Sequence, residues 1–196
     1  MANELLNILK ILIENKETEF SIRKLSKIRK INYKSAHSAI MRLKKEEVID
    51  LKKLGNTSNI VFNKNFNQLV FNAEIERRKT LLKNSNFNEL YNKLNKINSS
   101  FIILLFGSYA KGTATKHSDI DLMAIGEHNE TIEEVIRLVP LKIQLIPLTP
   151  QEFTNMAKSK EFSVVSEAIK NNLILIGIED YYRLLENVKR ETIKGS

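Results

Sequence analysis

The sequence contains no cysteine and no tryptophan, and its 196 residues include only three prolines and six glycines. Without cysteine the chain has no disulfide framework, no thiolate zinc site and no cysteine nucleophile. The longest apolar run, residues 101–106, is far shorter than the about 20 residues of a membrane-spanning helix, so we expect no membrane partner. Neither a basic leader nor a small-residue cleavage site marks the first residues, and we therefore expect a soluble cytoplasmic protein.

Positive charge is in excess and is concentrated near the N-terminus. The formal net charge is +8; residues 1–65 hold 14 Lys and Arg against 7 Asp and Glu, whereas the other residues hold 17 against 16. A basic module favours a polyanionic partner such as nucleic acid, because phosphate contacts release counterions. A solvated lysine-rich surface is the alternative that charge alone leaves open.

Three helices and two strands are predicted in the basic segment. Apolar residues at helical spacing predict a helix over residues 3–14. Ser21 and Asn32 are suited to cap a second helix and a third one, which ends near Lys45. Two extended segments follow, residues 48–54 and 59–63, joined by a turn at residues 55–58.

This order of elements resembles the winged helix-turn-helix family over residues 3–64. The resemblance implies that the third helix enters the major groove of DNA and that the hairpin contacts the backbone. The implied contacts are to base edges from Lys34, Ser35, His37, Ser38 and Arg42, and to phosphates from Lys52 and Lys53. A three-helix protein-interaction module with the same pattern is the alternative.

From residue 100 the pattern changes to short strands and helices. The apolar run 101–106 predicts a strand covered on both faces, and residues 118–125 predict a second strand. The sequence thus predicts an α/β (α+β) protein: a winged helix domain, then a small mixed sheet with flanking helices. Further strands are predicted at 141–148 and 173–177, helices at 130–138, 150–157, 162–171 and 181–191, and domains at 1–65, 66–98 (a helical linker) and 99–196.

Gly107 and Ser108 lie where the first apolar strand meets a helix. Glycine lets an anion approach the backbone, and the amides and hydroxyl of such a turn can donate to a phosphate. Gly107 and Gly112 have the outer spacing of a P-loop, but Thr113 and Ala114 stand where Lys and then Ser or Thr are required. A Walker-type NTPase is therefore disfavoured.

Asp119 and Asp121 alternate along the second strand. Their carboxylates leave the same face, about 6.6 Å apart along the chain. Desolvating two carboxylates costs several kcal/mol per ion unless a cation compensates, and Mg²⁺ or Mn²⁺ is the cation that oxygen ligands favour. A simple turn after Ser118 is the alternative reading of the two residues.

The segments G-S-Y-A-K-G and S-D-I-D-L together resemble the minimal nucleotidyltransferases of the DNA polymerase beta-type superfamily. The resemblance implies that Gly107 and Ser108 hold the phosphates of a nucleoside triphosphate, with ATP as the candidate. It also implies that Lys111 adds charge near those phosphates and that Asp119 and Asp121 hold two Mg²⁺. The implied reaction transfers a nucleoside monophosphate to a hydroxyl of a protein or nucleic acid and releases pyrophosphate.

The family pattern also has a third acidic residue on the next strand, where this sequence has Gln144, with Lys142 on the same face. Glu127 and Glu152 replace it only if the fold brings them close. Two hypotheses follow. The protein is either a nucleotidyltransferase tethered to DNA, or a DNA-binding transcriptional regulator whose impaired nucleotidyltransferase domain senses nucleotide or forms a homodimer.

Overall fold

The helices and strands fall into two units, residues 1–74 and residues 75–196. The structure is a computed structural model and describes residues 2–54, 57–127, 129–159 and 163–194. It is mixed α/β, as the sequence predicts, with a hairpin in the first unit and a small mixed sheet in the second. No helix in these ranges is long and apolar enough to cross a membrane.

Over the described part of the first unit, three helices precede an antiparallel hairpin, in the predicted order. Apolar side chains from one face of each helix are buried together with the inner face of the hairpin, as helical periodicity requires. The elements are α1 (Ala2–Glu14), α2 (Ile22–Arg29), α3 (Tyr33–Lys45), β1 (Ile49–Leu54) and β2 (Thr57–Phe62).

Side-chain caps fix the starts of α2 and α3. The Ser21 hydroxyl accepts a hydrogen bond from the Lys24 amide at 3.2 Å, and Asn32 Oδ1 accepts one from the Ser35 amide at 2.8 Å. Each cap satisfies a backbone donor of a first helical turn, which otherwise lacks a partner within the helix. Both predicted caps are confirmed.

The hairpin differs from the sequence prediction at its turn. The ladder between β1 and β2 continues to Leu54 and Thr57, so Thr57 and Ser58 belong to a strand and not to the predicted turn. Hydrogen bonding between the two backbones lengthens the strands beyond the ends that the residue types predict. The other predicted turn residues, Gly55 and Asn56, lie outside the described residues.

The second unit contains the predicted helices and strands of residues 100–191, with ends that shift by up to three residues. The division between the two units falls within α4. The elements from there on are α4 (Gln68–Leu81), α5 (Ser85–Leu94), β3 (Ile102–Phe106), α6 (Gly107–Ala110), β4 (Ile120–Ile125), α7 (Asn129–Arg137), β5 (Ile143–Leu148), α8 (Pro150–Lys158), α9 (Val164–Lys170), β6 (Leu173–Ile176) and α10 (Ile178–Lys194).

The sheet of the second unit has the order β5-β4-β3-β6. β3 is antiparallel to both of its neighbours, and β4 is parallel to β5. Every residue of β3 is buried, because this strand is internal to the sheet and covered on both faces. The prediction from the apolar run is confirmed.

Helix α5 packs into the core of the second unit. Phe87, Leu90 and Leu94 are buried in the same cluster as residues of β3 and β4. The sequence places this segment in a linker of residues 66–98, but its buried face belongs to the core that the sheet forms. The division into domains at 1–65, 66–98 and 99–196 stays a prediction.

Candidate active site

The candidate site lies where β3 ends and β4 begins. Because these strands are antiparallel neighbours, Phe106 at the end of β3 pairs with Asp121 near the start of β4. Gly107 and Ser108 follow Phe106 directly, in α6. The ladder therefore brings the two predicted halves of the site, the Gly-Ser turn and the Asp-x-Asp segment, to one edge of the sheet.

Gly107 and Asp121 are in direct contact. Gly107 has a φ of +64°, which L side chains rarely adopt, and a Cβ built at this position would lie 2.0 Å from Asp121 Oδ2. A side chain at residue 107 would therefore occupy the space of the carboxylate. The glycine is needed here both for the backbone angle and for the close approach of Asp121.

The segment after Gly107 is a single short turn of helix, with Ser108 half-buried within it. Tyr109 packs edge-on against Phe87, with ring centroids 5.5 Å apart, and this contact anchors the turn to the core. The Lys111 amide donates to the Gly107 carbonyl at 3.1 Å and closes the turn. The backbone thereby places Lys111 beside the residues that the sequence predicts as a nucleotide site.

The Lys111 ammonium is bound to a carboxylate that the sequence reasoning missed. Lys111 Nζ lies 2.7 Å from Glu167 Oε1, in an ion pair between α6 and α9. Glu167 is 46 residues from Asp121 in the chain, and no motif marks it. The pairing of Leu105 with Leu173 places the start of β6 beside the end of β3, and α9 immediately precedes β6.

Asp119 is bound to the other lysine of this edge. Lys142 Nζ lies 2.6 Å from Asp119 Oδ1, and the Ile120 amide donates to the Lys142 carbonyl at 2.9 Å. The Lys142 side chain is 79% exposed, and such exposed ion pairs contribute only about 0–1 kcal/mol to stability. A divalent cation or a phosphate can therefore replace the partner of either charge at little cost.

The carboxyl of Asp121 has a raised pKa, which reflects its surroundings in the site. Partial burial raises the pKa of its carboxyl above the ordinary value, and the charges of Glu167 and Asp119 raise this pKa further. The Lys111 ammonium lowers the same pKa but does not outweigh the other causes. Asp119 therefore raises the pKa of Asp121. It lies one residue before β4, because this strand begins two residues later than the sequence predicts.

The neighbouring strand offers no carboxylate at the matching position. Gln144, which the family pattern places at the position of the third acid, is in register with Asp121 on β5, and its side chain is exposed. Glu127 and Glu152 do not replace it. Both follow the far ends of β4 and β5, which run parallel for six residues, about 17–20 Å. Glu152 also forms the capping box of α8 with Thr149.

The ligands at this edge suit a hard divalent cation, because they are carboxylate oxygens beside a glycine that leaves space open. Repulsion between Asp119, Asp121 and Glu167 makes a cation favourable there. Within the described ranges, no group of three or more His, Cys, Asp or Glu side chains is placed to hold a metal ion. Asp119 and Asp121 are thus the candidate metal ligands, supported by chemistry rather than by a preformed cage.

A separate candidate surface lies in the first unit, on α3. The residues that the sequence predicts to contact base edges are all exposed there, and both lysines of the hairpin are exposed on β1. Because successive strand residues point to opposite faces, the two lysines face opposite sides of the hairpin. The residues are Lys34, Ser35, His37, Ser38 and Arg42 on α3, and Lys52 and Lys53 on β1.

A cleft of about 390 Å³ lies beside α3 in the first unit and is lined in part by Lys34, Ser38 and Arg42. Glu4 of α1 also lines it, but its carboxylate is paired with Arg29 at 2.7 Å. Because Arg29 balances the charge of Glu4, Lys34 and Arg42 make the electrostatic potential positive along the stripe of α3 that lines the cleft. The stripe has the charge expected of a surface that meets a polyanion.

A comparison with known protein families gives a match to the second part of the chain. Residues 86–180 match the family model described as "Polymerase beta, Nucleotidyltransferase". No curated protein and no solved structure gives a significant match to the chain. The matched segment begins at α5, covers the whole sheet and contains Gly107, Ser108, Lys111, Asp119 and Asp121. Residues 86–180, just under half of the chain, are therefore similar to nucleotidyltransferase domains of the polymerase beta family.

Proposed function

We propose that the protein transfers a nucleoside monophosphate from a metal-bound nucleoside triphosphate, with ATP as the candidate, to a hydroxyl of a protein or nucleic acid. The observation that carries the proposal is the contact between Gly107 and Asp121 within the matched domain. It puts a carboxylate beside a backbone position that a side chain cannot occupy. The Gly-Ser turn and the Asp-x-Asp segment thus form one site.

In this proposal Gly107 and Ser108 contact the β- and γ-phosphates, and Lys111 balances part of their charge. Asp119 and Asp121 hold Mg²⁺ or Mn²⁺. Such ions, when bound, stabilise the attacking and leaving oxygens of an in-line displacement. The acceptor oxygen forms a bond to the α-phosphorus, the bond from that phosphorus to the bridging oxygen breaks, and pyrophosphate leaves. The hydroxyl proton passes to a nearby base or to water.

A second function is favoured by a different observation. Gln144 stands in register with Asp121 where the family pattern has an acid, and Lys142 is bound to Asp119. The missing acid would weaken the binding of a divalent cation, whereas the Gly-Ser turn is intact. The alternative is therefore a DNA-binding transcriptional regulator whose second unit binds nucleotide without transferring it.

Transfer of radiolabel from α-labelled ATP, in Mg²⁺ or Mn²⁺, tests the two functions against each other. An active enzyme labels an acceptor in the wild-type form, and Gln144→Asp changes its rate by less than about tenfold. An impaired regulator binds ATP but labels nothing until Gln144→Asp restores an acid. Failure of both forms to bind a metal–ATP complex would contradict both functions.

We also propose that the first unit is a winged helix domain that binds DNA, with α3 in the major groove. The support is the +7 balance of residues 1–65 and the exposure of the five predicted side chains on α3. A phosphate contact from Lys52 or Lys53, which face opposite sides of the hairpin, would fix the register of the helix on the duplex.

Lys52→Ala is expected to weaken DNA binding equally for all sequences and to lower the salt slope of the binding constant by about 1.

Arg42→Ala is expected to reduce the free energy of DNA binding by about 1–3 kcal/mol and to relax sequence preference, because it removes a base-edge contact. Fluorescence anisotropy over a salt series measures both effects, with Arg190→Ala on exposed α10 as the control. An unchanged slope in Lys52→Ala would remove the hairpin from the interface.

A further inference from the structure

The second unit holds an acidic side chain that the proposed reaction has not yet used. Glu167 is on α9, which packs against β3, and Val165 and Ala168 anchor this helix in the core. Ser163 caps α9 by accepting a hydrogen bond from the Ser166 amide at 3.1 Å. The glutamate therefore projects from a fixed helix.

Two independent observations place the Glu167 carboxylate at the edge where Gly107 meets Asp121. It is 2.7 Å from the ammonium of Lys111, whose amide is bonded to the Gly107 carbonyl. Helix α9 also leads directly into β6, whose Leu173 pairs with Leu105, two residues before Gly107. Three carboxylates and two lysines therefore lie at this edge, and within the described residues the three acids are not yet placed to hold one cation together.

Gln144 cannot supply a negatively charged ligand at the adjacent position, and Glu127 and Glu152 lie at the far ends of their strands. Glu167 has the chemistry that is missing, since a carboxylate oxygen is a ligand that hard divalent cations prefer. We propose that Glu167 supplies the third carboxylate of the nucleotidyltransferase site, and that Lys111 holds it until nucleotide phosphates take over the lysine. The inference rests on the proposed function.

The exchange of partners follows from exposure and charge. The side chains of Lys111 and Glu167 are 45% and 31% exposed, so their ion pair is screened by solvent and is weak. A triphosphate offers the same lysine several negative oxygens at once. Once Lys111 turns to the phosphates, the Glu167 carboxylate is free to turn toward Asp119 and Asp121 and a divalent cation. Binding of the nucleotide would thereby free Glu167 to join Asp119 and Asp121 as a ligand of the divalent cation.

The test measures binding of Mn²⁺ by electron paramagnetic resonance, with and without α,β-methylene-ATP, in the full-length protein. Glu167→Gln is expected to weaken Mn²⁺ binding in the presence of the analogue by about tenfold or more. Glu186→Gln is the matched control, because it breaks a pair with Arg190 on α10 at 2.6 Å and leaves the site untouched. Equal Mn²⁺ binding by Glu167→Gln and the wild type would overturn the inference.

Lys111→Met supplies the second arm and separates a ligand role from a merely structural ion pair. Without nucleotide, this variant is expected to bind Mn²⁺ about twofold to fivefold more tightly than the wild type, because Glu167 no longer has the weak ion pair with the lysine. A structural pair predicts the same loss from both substitutions, which would contradict the inference. If the wild type itself binds no Mn²⁺ with the analogue, the proposed function fails, and this result is distinct from a failure of Glu167 alone.

Discussion

Gly107→Ala is expected to reduce nucleotidyl transfer by more than about 100-fold. The new Cβ would lie 2.0 Å from Asp121 Oδ2, so the carboxylate must move away from its place over the turn. A misplacement of about 1 Å at a reacting centre is enough for a loss of this size. Alanine at a φ of +64° also costs about 1–2 kcal/mol of stability.

Gly112→Ala separates these two effects. Gly112 has a similar φ, +70°, but a Cβ built there meets nothing within 4 Å. We expect it to lose the same about 1–2 kcal/mol in stability while keeping most of the activity, because only the backbone strain is shared. Transfer of radiolabel from α-labelled ATP measures the activity of both variants, and thermal melts measure their stability. Equal losses of activity in the two variants would show that the contact with Asp121 is not what the site needs.

Asp121→Asn is expected to remove activity and to raise the melting temperature in the same protein. Loss of a metal ligand removes several kcal/mol of charge stabilisation, which corresponds to about 100-fold to 1000-fold in rate. The folded state becomes more stable, because asparagine carries no charge that Glu167 and Asp119 repel. A purely structural aspartate would instead give a lower melting temperature.

The stability that Asp121→Asn gains over the wild type is expected to increase with pH. The pKa of Asp121 is raised in the folded state above its ordinary value of 3.8, so the unfolded chain loses this proton first as pH rises. The wild type therefore loses stability as the pH rises from the ordinary pKa through the raised one, and Asp121→Asn does not. The difference in melting temperature should grow over this interval in metal-free buffer. Asp50→Asn, an exposed aspartate on β1, is the control and should show no such growth.

Much of the candidate site was predictable because it depends on short-range patterns. The apolar run before Gly107 is typical of a covered strand, and the alternation of Asp119 and Asp121 indicated a second strand, although β4 begins at Ile120 and leaves Asp119 just before it. Gln144 was singled out only through the resemblance to the family pattern, and its pairing with Asp121 was found in the structure. The bounds of the elements were less accurate, and Thr57 and Ser58 were wrongly given to a turn.

Glu167 was not predictable, because its place depends on which strand β6 joins. Nothing in residues 163–170 marks a ligand; Glu167 there reads as an ordinary helix residue. The contact arises because β6 pairs with β3 and brings α9 to the end of β3 at which Gly107 lies. The partners of the two lysines, Glu167 for Lys111 and Asp119 for Lys142, depend on the same long-range packing.

The amino-acid order by itself determined the elements, the Gly-Ser turn and the Asp-x-Asp segment, since each depends on residues that are neighbours along the chain. The tertiary structure alone decided which strands adjoin, that Glu127 and Glu152 lie at the far ends of their strands, and that Lys111 pairs with Glu167. The physical reason is that a carboxylate acts over a few ångströms of space, and only the packing of the sheet and α9 sets that distance.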